Sequence, residues 1–98
     1  MITFAEKTNF YIDRESYLVY KNDTSYTLPK KEFELLCLLF SKPGKVFRRK
    51  EISQAIWNSQ EKVIKSRTID VHISRIREKI GEEMIKTVIG IGYKLVLD

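Results

Sequence analysis

Three patterns in the 98 residues predict an α+β domain with a small antiparallel sheet first, three helices in the middle and a β-hairpin at the end. Residues 1–28 carry short aromatic and β-branched runs separated by polar turns. From residue 29 to 80 the apolar residues recur at intervals of three and four. From Met84 to Leu97 they alternate around Gly90-Ile91-Gly92.

In the first segment, Ile2 to Ala5, Phe10 to Ile12, Tyr17 to Tyr20 and Ser25 to Leu28 read as strands. Asp13-Arg14-Glu15-Ser16 and Lys21-Asn22-Asp23-Thr24 supply turns, so the expectation is a four-stranded antiparallel meander. Its tyrosines sit in a segment that is not basic, which disfavours a stacking platform for single-stranded nucleic acid. Pro29 opens the first helix, whose stripe is Phe33, Leu36, Cys37 and Phe40, widened by Leu35, Leu38 and Leu39. Lys30, Lys31, Glu32 and Glu34 are expected to be its solvated beginning, and Cys37 a small core residue. Ser41-Lys42-Pro43-Gly44 ends it.

Val46-Phe47 reads as an extended pair, and Ile52, Ala55 and Ile56 as the apolar face of a short second helix starting near Arg48. Lys42, Lys45, Arg48, Arg49 and Lys50 form the densest basic cluster in the chain. At a helix start, where unpaired N–H groups attract anions, such a cluster suggests phosphate contacts. Trp57 at the end of this helix reads as core or as a backbone contact. Residues 58–64 form a polar connector.

The helix running from Lys65 or Ser66 to Ile80 carries the argument for function. Ile69, Ile73, Ile76 and Ile80 step by four, three and four, so at about 100° per residue they stay within roughly 60° of one another. That stripe is core. The opposite side collects Arg67, Val71, Ser74 and Arg75, with Thr68 and His72 on one shoulder and Arg77 on the other. Guanidinium groups, small hydroxyls and one exposed β-branched residue suit phosphate oxygens, base edges and a thymine methyl. Gly81 reads as the helix's C-cap, and Tyr93, Leu95 and Leu97 as one face of the hairpin's second strand.

Composition agrees with a single folded unit spanning residues 1–98, with 43% hydrophobic residues and a net charge of +5. Residues 1–41 hold five Lys/Arg against six Asp/Glu, and residues 42–98 thirteen against seven, so the positive charge lies in the half with the basic helix. One cysteine allows no internal disulfide, and no apolar run approaches the ~18 residues of a membrane span. The amino terminus lacks the pattern of a secretory signal, so a cytoplasmic location is expected. The single His has no nucleophile or metal-ligand cluster around it, and Gly90-Ile91-Gly92 lacks the further glycine and helix of a nucleotide loop. No enzyme activity, cofactor or metal is expected.

Helices followed by a hairpin on a basic surface describe a winged helix-turn-helix. The runs Lys31-Glu32-Phe33-Glu34-Leu35-Leu36, Pro43-Gly44-Lys45-Val46, Arg67-Thr68-Ile69-Asp70-Val71-His72-Ile73, Arg75-Ile76-Arg77 and Ile85-Lys86-Thr87-Val88 with Gly90-Ile91-Gly92-Tyr93 closely resemble the OmpR/PhoB-type effector domain of bacterial two-component response regulators. The likeness covers essentially the whole chain in order. It implies a sheet over 1–28, a three-helix core over 29–80 with helix 66–80 in the major groove, and a wing over 84–97 beside the backbone and minor groove. It also implies an upstream receiver domain and its cognate histidine kinase. The partner is then double-stranded promoter DNA, bound as direct-repeat half-sites by a chain that is monomeric alone and a tandem dimer on DNA. RNA polymerase is a further partner for the 58–64 loop, and a winged-helix module serving only protein contacts is the alternative reading.

By the same resemblance Val71, Arg75 and Arg77 match base-reading positions, and Trp57, Arg67, His72, Ser74 and Thr87 match backbone-contacting ones. Arg49 and Thr68 join the backbone group from their placement. Arg77, near the core stripe, has either to reach around to the bases or to pair with Asp70. Ile89 stands where a wing arginine often enters the minor groove, Ser74 replaces a frequent basic residue, and Pro29 replaces the usual first-helix cap.

Overall fold

The computed structural model describes residues 10–57 and 66–97. Within them three strands form the first sheet, in the order β1 (Phe10–Asp13), β2 (Leu18–Lys21) and β3 (Thr24–Thr27), all antiparallel. The expected strand Ile2 to Ala5 lies outside the described residues. Asp13 starts the first reversal, its Oδ1 accepting the backbone N–H groups of Glu15 and Ser16 at 3.1 and 3.2 Å. The second reversal takes two residues, and Asn22 at φ +57° is a type that tolerates the left-handed region. Phe10 and Val19 point inward, and Tyr11 stacks on Tyr20 on the outer face.

Helix α1 (Lys30–Ser41) packs on this sheet. Pro29 takes the N-cap position, where its carbonyl accepts the Phe33 N–H at 2.8 Å but its ring offers no side-chain cap. One expectation for α1 is overturned. Glu32 is not solvated: it is 2% exposed. Its position is in phase with Leu35, Leu36 and Leu39, three, four and seven residues on, so the helix carries it into the core, where His72 meets it.

A two-residue strand, β4 (Phe47–Arg48), leads directly into α2 (Arg49–Trp57). Here too a detail changes. The buried face of α2 is Ile52, Ser53 and Ile56, while Ala55 is exposed and lines an open cleft beside Cys37 and Ser41 of α1. A serine, small enough for close helix approach, takes the place in the core that the alanine was expected to fill. Cys37 is buried, and burial pushes its thiol pKa up.

Helix α3 (Ser66–Ile80) buries Ile69, Ile73, Ile76 and Ile80 almost completely, as their spacing requires. Gly81 follows at φ +101°, its N–H returning to the Arg77 carbonyl at 2.9 Å. Two lysines finish helices from a distance. Lys21 of β2 donates to the Ile80 carbonyl at 2.5 Å and to Glu83, and Lys31 of α1 donates to the Ile56 carbonyl at 2.9 Å. Each places a cation at the negative end of a helix dipole, and each ties two elements together.

The closing hairpin consists of β5 (Ile85–Val88) and β6 (Gly92–Leu95). It is wider than expected, because β4 adds to β6 and gives a three-stranded sheet in the order β4-β6-β5. Gly92 makes that pairing possible, since a Cβ there would sit 1.9 Å from the Phe47 carbonyl oxygen. Gly92→Ala is therefore expected to cost about 1–3 kcal/mol in urea unfolding, the usual penalty of overpacking. An unchanged midpoint would show that β4 does not press on β6.

Candidate nucleic-acid interface

The buried isoleucine stripe sets the rotation of α3 and hence what the rest of the helix presents. Arg67, Val71, Ser74 and Arg75 are exposed on the side away from the core, Val71 at 40%. Among the described residues no protein group hydrogen-bonds the Arg67 or Arg75 side chains. Thr87 is exposed on β5 beside this surface. At the hairpin tip, Ile89 is 90% exposed and Ile91 is exposed as well, so the tip is apolar.

The shoulder residues are engaged differently. Nδ1 of His72 lies 3.2 Å from Oε2 of Glu32, and its ring is tilted against Trp57 with centroids 5.3 Å apart. Trp57 is itself half-buried against the core. His72 therefore anchors α3 to α1 and α2, with only part of its ring left for an outside contact. Thr68, one turn earlier, is half-buried.

On the other shoulder, Asp70 is the hub. Its Oδ1 accepts from Arg49 Nε at 2.9 Å and from the Tyr93 hydroxyl at 2.5 Å, and Arg49 Nη2 reaches the same hydroxyl at 3.4 Å. Its hydrogen bond to Asp70 holds the Arg49 guanidinium above its ordinary pKa, while burial first and the phenol's own hydrogen bond to Asp70 second push Tyr93 up. The start of α2, the middle of α3 and strand β6 thus meet on one carboxylate. Arg77 does not pair with Asp70. Its Nη2 donates to the Ile85 carbonyl and to Thr87 Oγ1, both at 2.8 Å, and its Nε approaches the Ile85 carbonyl at 3.3 Å.

The basic cluster before α2 is partly neutralised. Glu51 Oε1 accepts the Arg48 N–H at 2.8 Å, half of a capping box, while Oε2 pairs with Lys45 at 3.2 Å. Glu51 thus sets a carboxylate at a helix N-terminus where cations, of themselves, are unfavourable. Sequence reasoning gives none of four supporting residues its observed role: Glu32 is expected in solvent, Asp70 as a partner of Arg77, Tyr93 on one face of a strand, and Glu51 is given no role. The phase of Glu32 and the three-residue offset of Glu51 from Arg48 were the available signals. Nothing local marked Asp70 and Tyr93, which lie 23 residues apart.

Comparison with known proteins agrees with this geometry. Residues 23–95 match the family model described as the C-terminal domain of transcriptional regulatory proteins. The chain is 42% identical over 89 residues to the transcriptional regulatory protein YcbL of Bacillus subtilis, covering 86% of this chain and 39% of the relative. Among solved structures, it is similar to the response regulator DrrB of Thermotoga maritima, an OmpR/PhoB homologue, with a TM-score of 0.78 and 34% identity over 89% of this chain and 41% of that one. It is equally similar to the DNA-binding domain of the response regulator AdeR, solved in complex with an intercistronic region, with a TM-score of 0.78 and 30% identity over 90% and 94% of the two chains. The fold and surface define a winged-helix DNA-binding domain. The chain belongs to the OmpR/PhoB-type family of response-regulator effector domains, which serve in transcription regulation. It spans about two-fifths of the length of YcbL.

Glu51 makes the α2 start sensitive to acid. The Arg48 N–H, and then Lys45, hold its carboxyl below the usual range, so its contribution is present at neutral pH and is lost as pH falls through that depressed pKa. Glu51→Ala is expected to lower Tm at neutral pH, with the gap from the unsubstituted protein closing in acid. A gap that stayed constant across the titration would contradict the cap.

Proposed function

We propose that this chain binds double-stranded promoter DNA in a sequence-specific way, with α3 in the major groove and the β5–β6 wing along the backbone. Binding, not chemistry, is the activity. The observation that carries this is the outward set of Arg67, Val71, Ser74 and Arg75 on a helix whose opposite stripe is buried. In the proposed complex Arg75 donates to a base edge and Val71 packs on a thymine methyl. Arg49, Arg67, Ser74 and Thr87 meet phosphates and set register. Trp57, Thr68 and His72, being half-buried, contribute to the backbone through their exposed edges. With Ile89 at its tip, the wing presents no cation there to a narrow A·T minor groove, so the contribution of the tip is van der Waals contact with the sugar walls.

The wider setting follows from family membership and is likewise proposed. An upstream receiver domain, phosphorylated by a cognate histidine kinase in the cytoplasm, would control a chain that is monomeric alone and pairs on direct-repeat half-sites. A contact between residues 58–64 and RNA polymerase is proposed beside DNA binding; that loop lies outside the described residues. Among the described residues no helix is long and apolar enough to cross a membrane.

Selection of bound sequences from a random duplex pool, using this chain, yields the site and its scrambled control. Arg75→Ala is expected to lose about 1–3 kcal/mol at one base pair of the selected site and to relax preference there. An unchanged ratio of selected to scrambled affinity would remove Arg75 from base reading. Arg67→Ala is expected to weaken both duplexes alike and to reduce the slope of log K against log salt by about 0.9. An unaltered slope would remove Arg67 from phosphate contact.

A further inference from the structure

The guanidinium of Arg77 is the one on α3 that the fold has already committed. It lies on the same side of the helix as Asp70, one step of seven further along, and faces the wing. Nη2 spans the Ile85 carbonyl and Thr87 Oγ1, both on β5, at 2.8 Å each. Nε adds a longer bond to the same carbonyl at 3.3 Å. The guanidinium carbon lies 5.6 Å from the centre of the Tyr93 ring, whose hydroxyl is held by Asp70. Ile85 is a ladder residue, paired with Leu95, so the carbonyl that Arg77 grips belongs to the base of the wing and not to its free tip.

We infer that Arg77 is a positioning residue for DNA binding, clamping the wing to the recognition helix and aiming the Thr87 hydroxyl outward as a phosphate donor. The inference rests on the proposed reading of α3 and the wing as the DNA-contacting elements. It reassigns Arg77, which by resemblance alone would read a base.

The chemistry turns on the Thr87 oxygen. A hydroxyl has one proton and two lone pairs. Where Oγ1 accepts from a guanidinium, its proton points away from Arg77, and because Thr87 is exposed it points into solvent. Polarisation by the cation strengthens that O–H as a donor. Its best partner is an oxygen that accepts only and carries negative charge, which describes a phosphodiester. The arginine's charge stays one side chain behind the contact. Its Nε and Nη2 donors are spent on the protein and only Nη1 remains, so the Nη1–Nη2 and Nε–Nη2 edges are closed to the bidentate manner in which arginine meets guanine.

The test is a double-mutant cycle with Arg77→Ala, Thr87→Val and the pair, measured on a duplex selected from a random pool by this chain and on its scrambled counterpart. Each single substitution is expected to weaken both duplexes by the same factor, about tenfold, leaving the selected-to-scrambled ratio unchanged. The double variant is expected to bind no more weakly than Arg77→Ala, because the Thr87 donor is useful only when aimed. Arg77→Lys keeps the charge but has no fork to span both acceptors, so it is expected to resemble Arg77→Ala. Losses confined to one base pair of the selected site, adding to those of Thr87→Val, would overturn the inference in favour of base reading. So would a full-strength Thr87→Val protein, the outcome if Arg77 merely stabilises the fold. Failure of the unsubstituted chain to select any duplex would instead overturn the DNA-binding reading on which the inference stands.

Discussion

The burial of Ile69, Ile73, Ile76 and Ile80 is the constraint from which the surface follows. Each buried isoleucine is worth about 1.5–3 kcal/mol relative to exposure, and turning α3 by one residue would forfeit much of that for all four. Exposed ion pairs of the kind found around the helix contribute about 0–1 kcal/mol each. The apolar stripe therefore wins any competition over rotation. The polar side chains take whatever directions remain. That is why the residues on this helix sort by angle into a core stripe, an outward set and two shoulders tied to different neighbours.

Those shoulders are what turn a helix on a core into a fixed reading head. On one side His72 reaches the buried Glu32 and the Trp57 ring; on the other, Asp70 receives Arg49 and Tyr93, and Arg77 holds β5. These contacts are polar and partly buried, and leaving one partner alone costs more than the pair contributes. Their benefit is geometric. An apolar stripe resists rotation but allows sliding, whereas hydrogen bonds on both sides of the helix fix where it sits against its neighbours. Lys21 and Lys79 extend the same restraint to the first sheet, through the Ile80 and Thr27 carbonyls.

How much of this was legible in the sequence depends on the kind of interaction. Periodic burial is local, so the stripe of α3, the arc of α1 and the alternation of β6 were readable from spacing. Glycine 81 was readable because a helix end needs its backbone. What required the structure was contact between elements distant in sequence. Glu32 was assigned to solvent by its charge although its phase put it among leucines, and its partner lies 40 residues away. Ala55 was assigned to the core by its polarity, although the face of α2 is centred between Ile52 and Ile56 and turns that position toward an open cleft. The pairing of β4 with β6 was hidden because two residues carry too little pattern to announce a strand. Arg77 lay between two expected roles and takes up a third set of partners on β5.

One face of α3, together with the adjoining wing strand, is the surface proposed to meet the duplex. Amide and arginine side-chain NMR spectra recorded while a pool-selected duplex is added test it directly. The largest shifts are expected on Arg67, Val71, Ser74, Arg75 and Thr87, with Val19, Leu36 and Tyr11 nearly still. Shifts centred on the outer face of the first sheet, around Tyr11 and Tyr20, with α3 unperturbed, would contradict it.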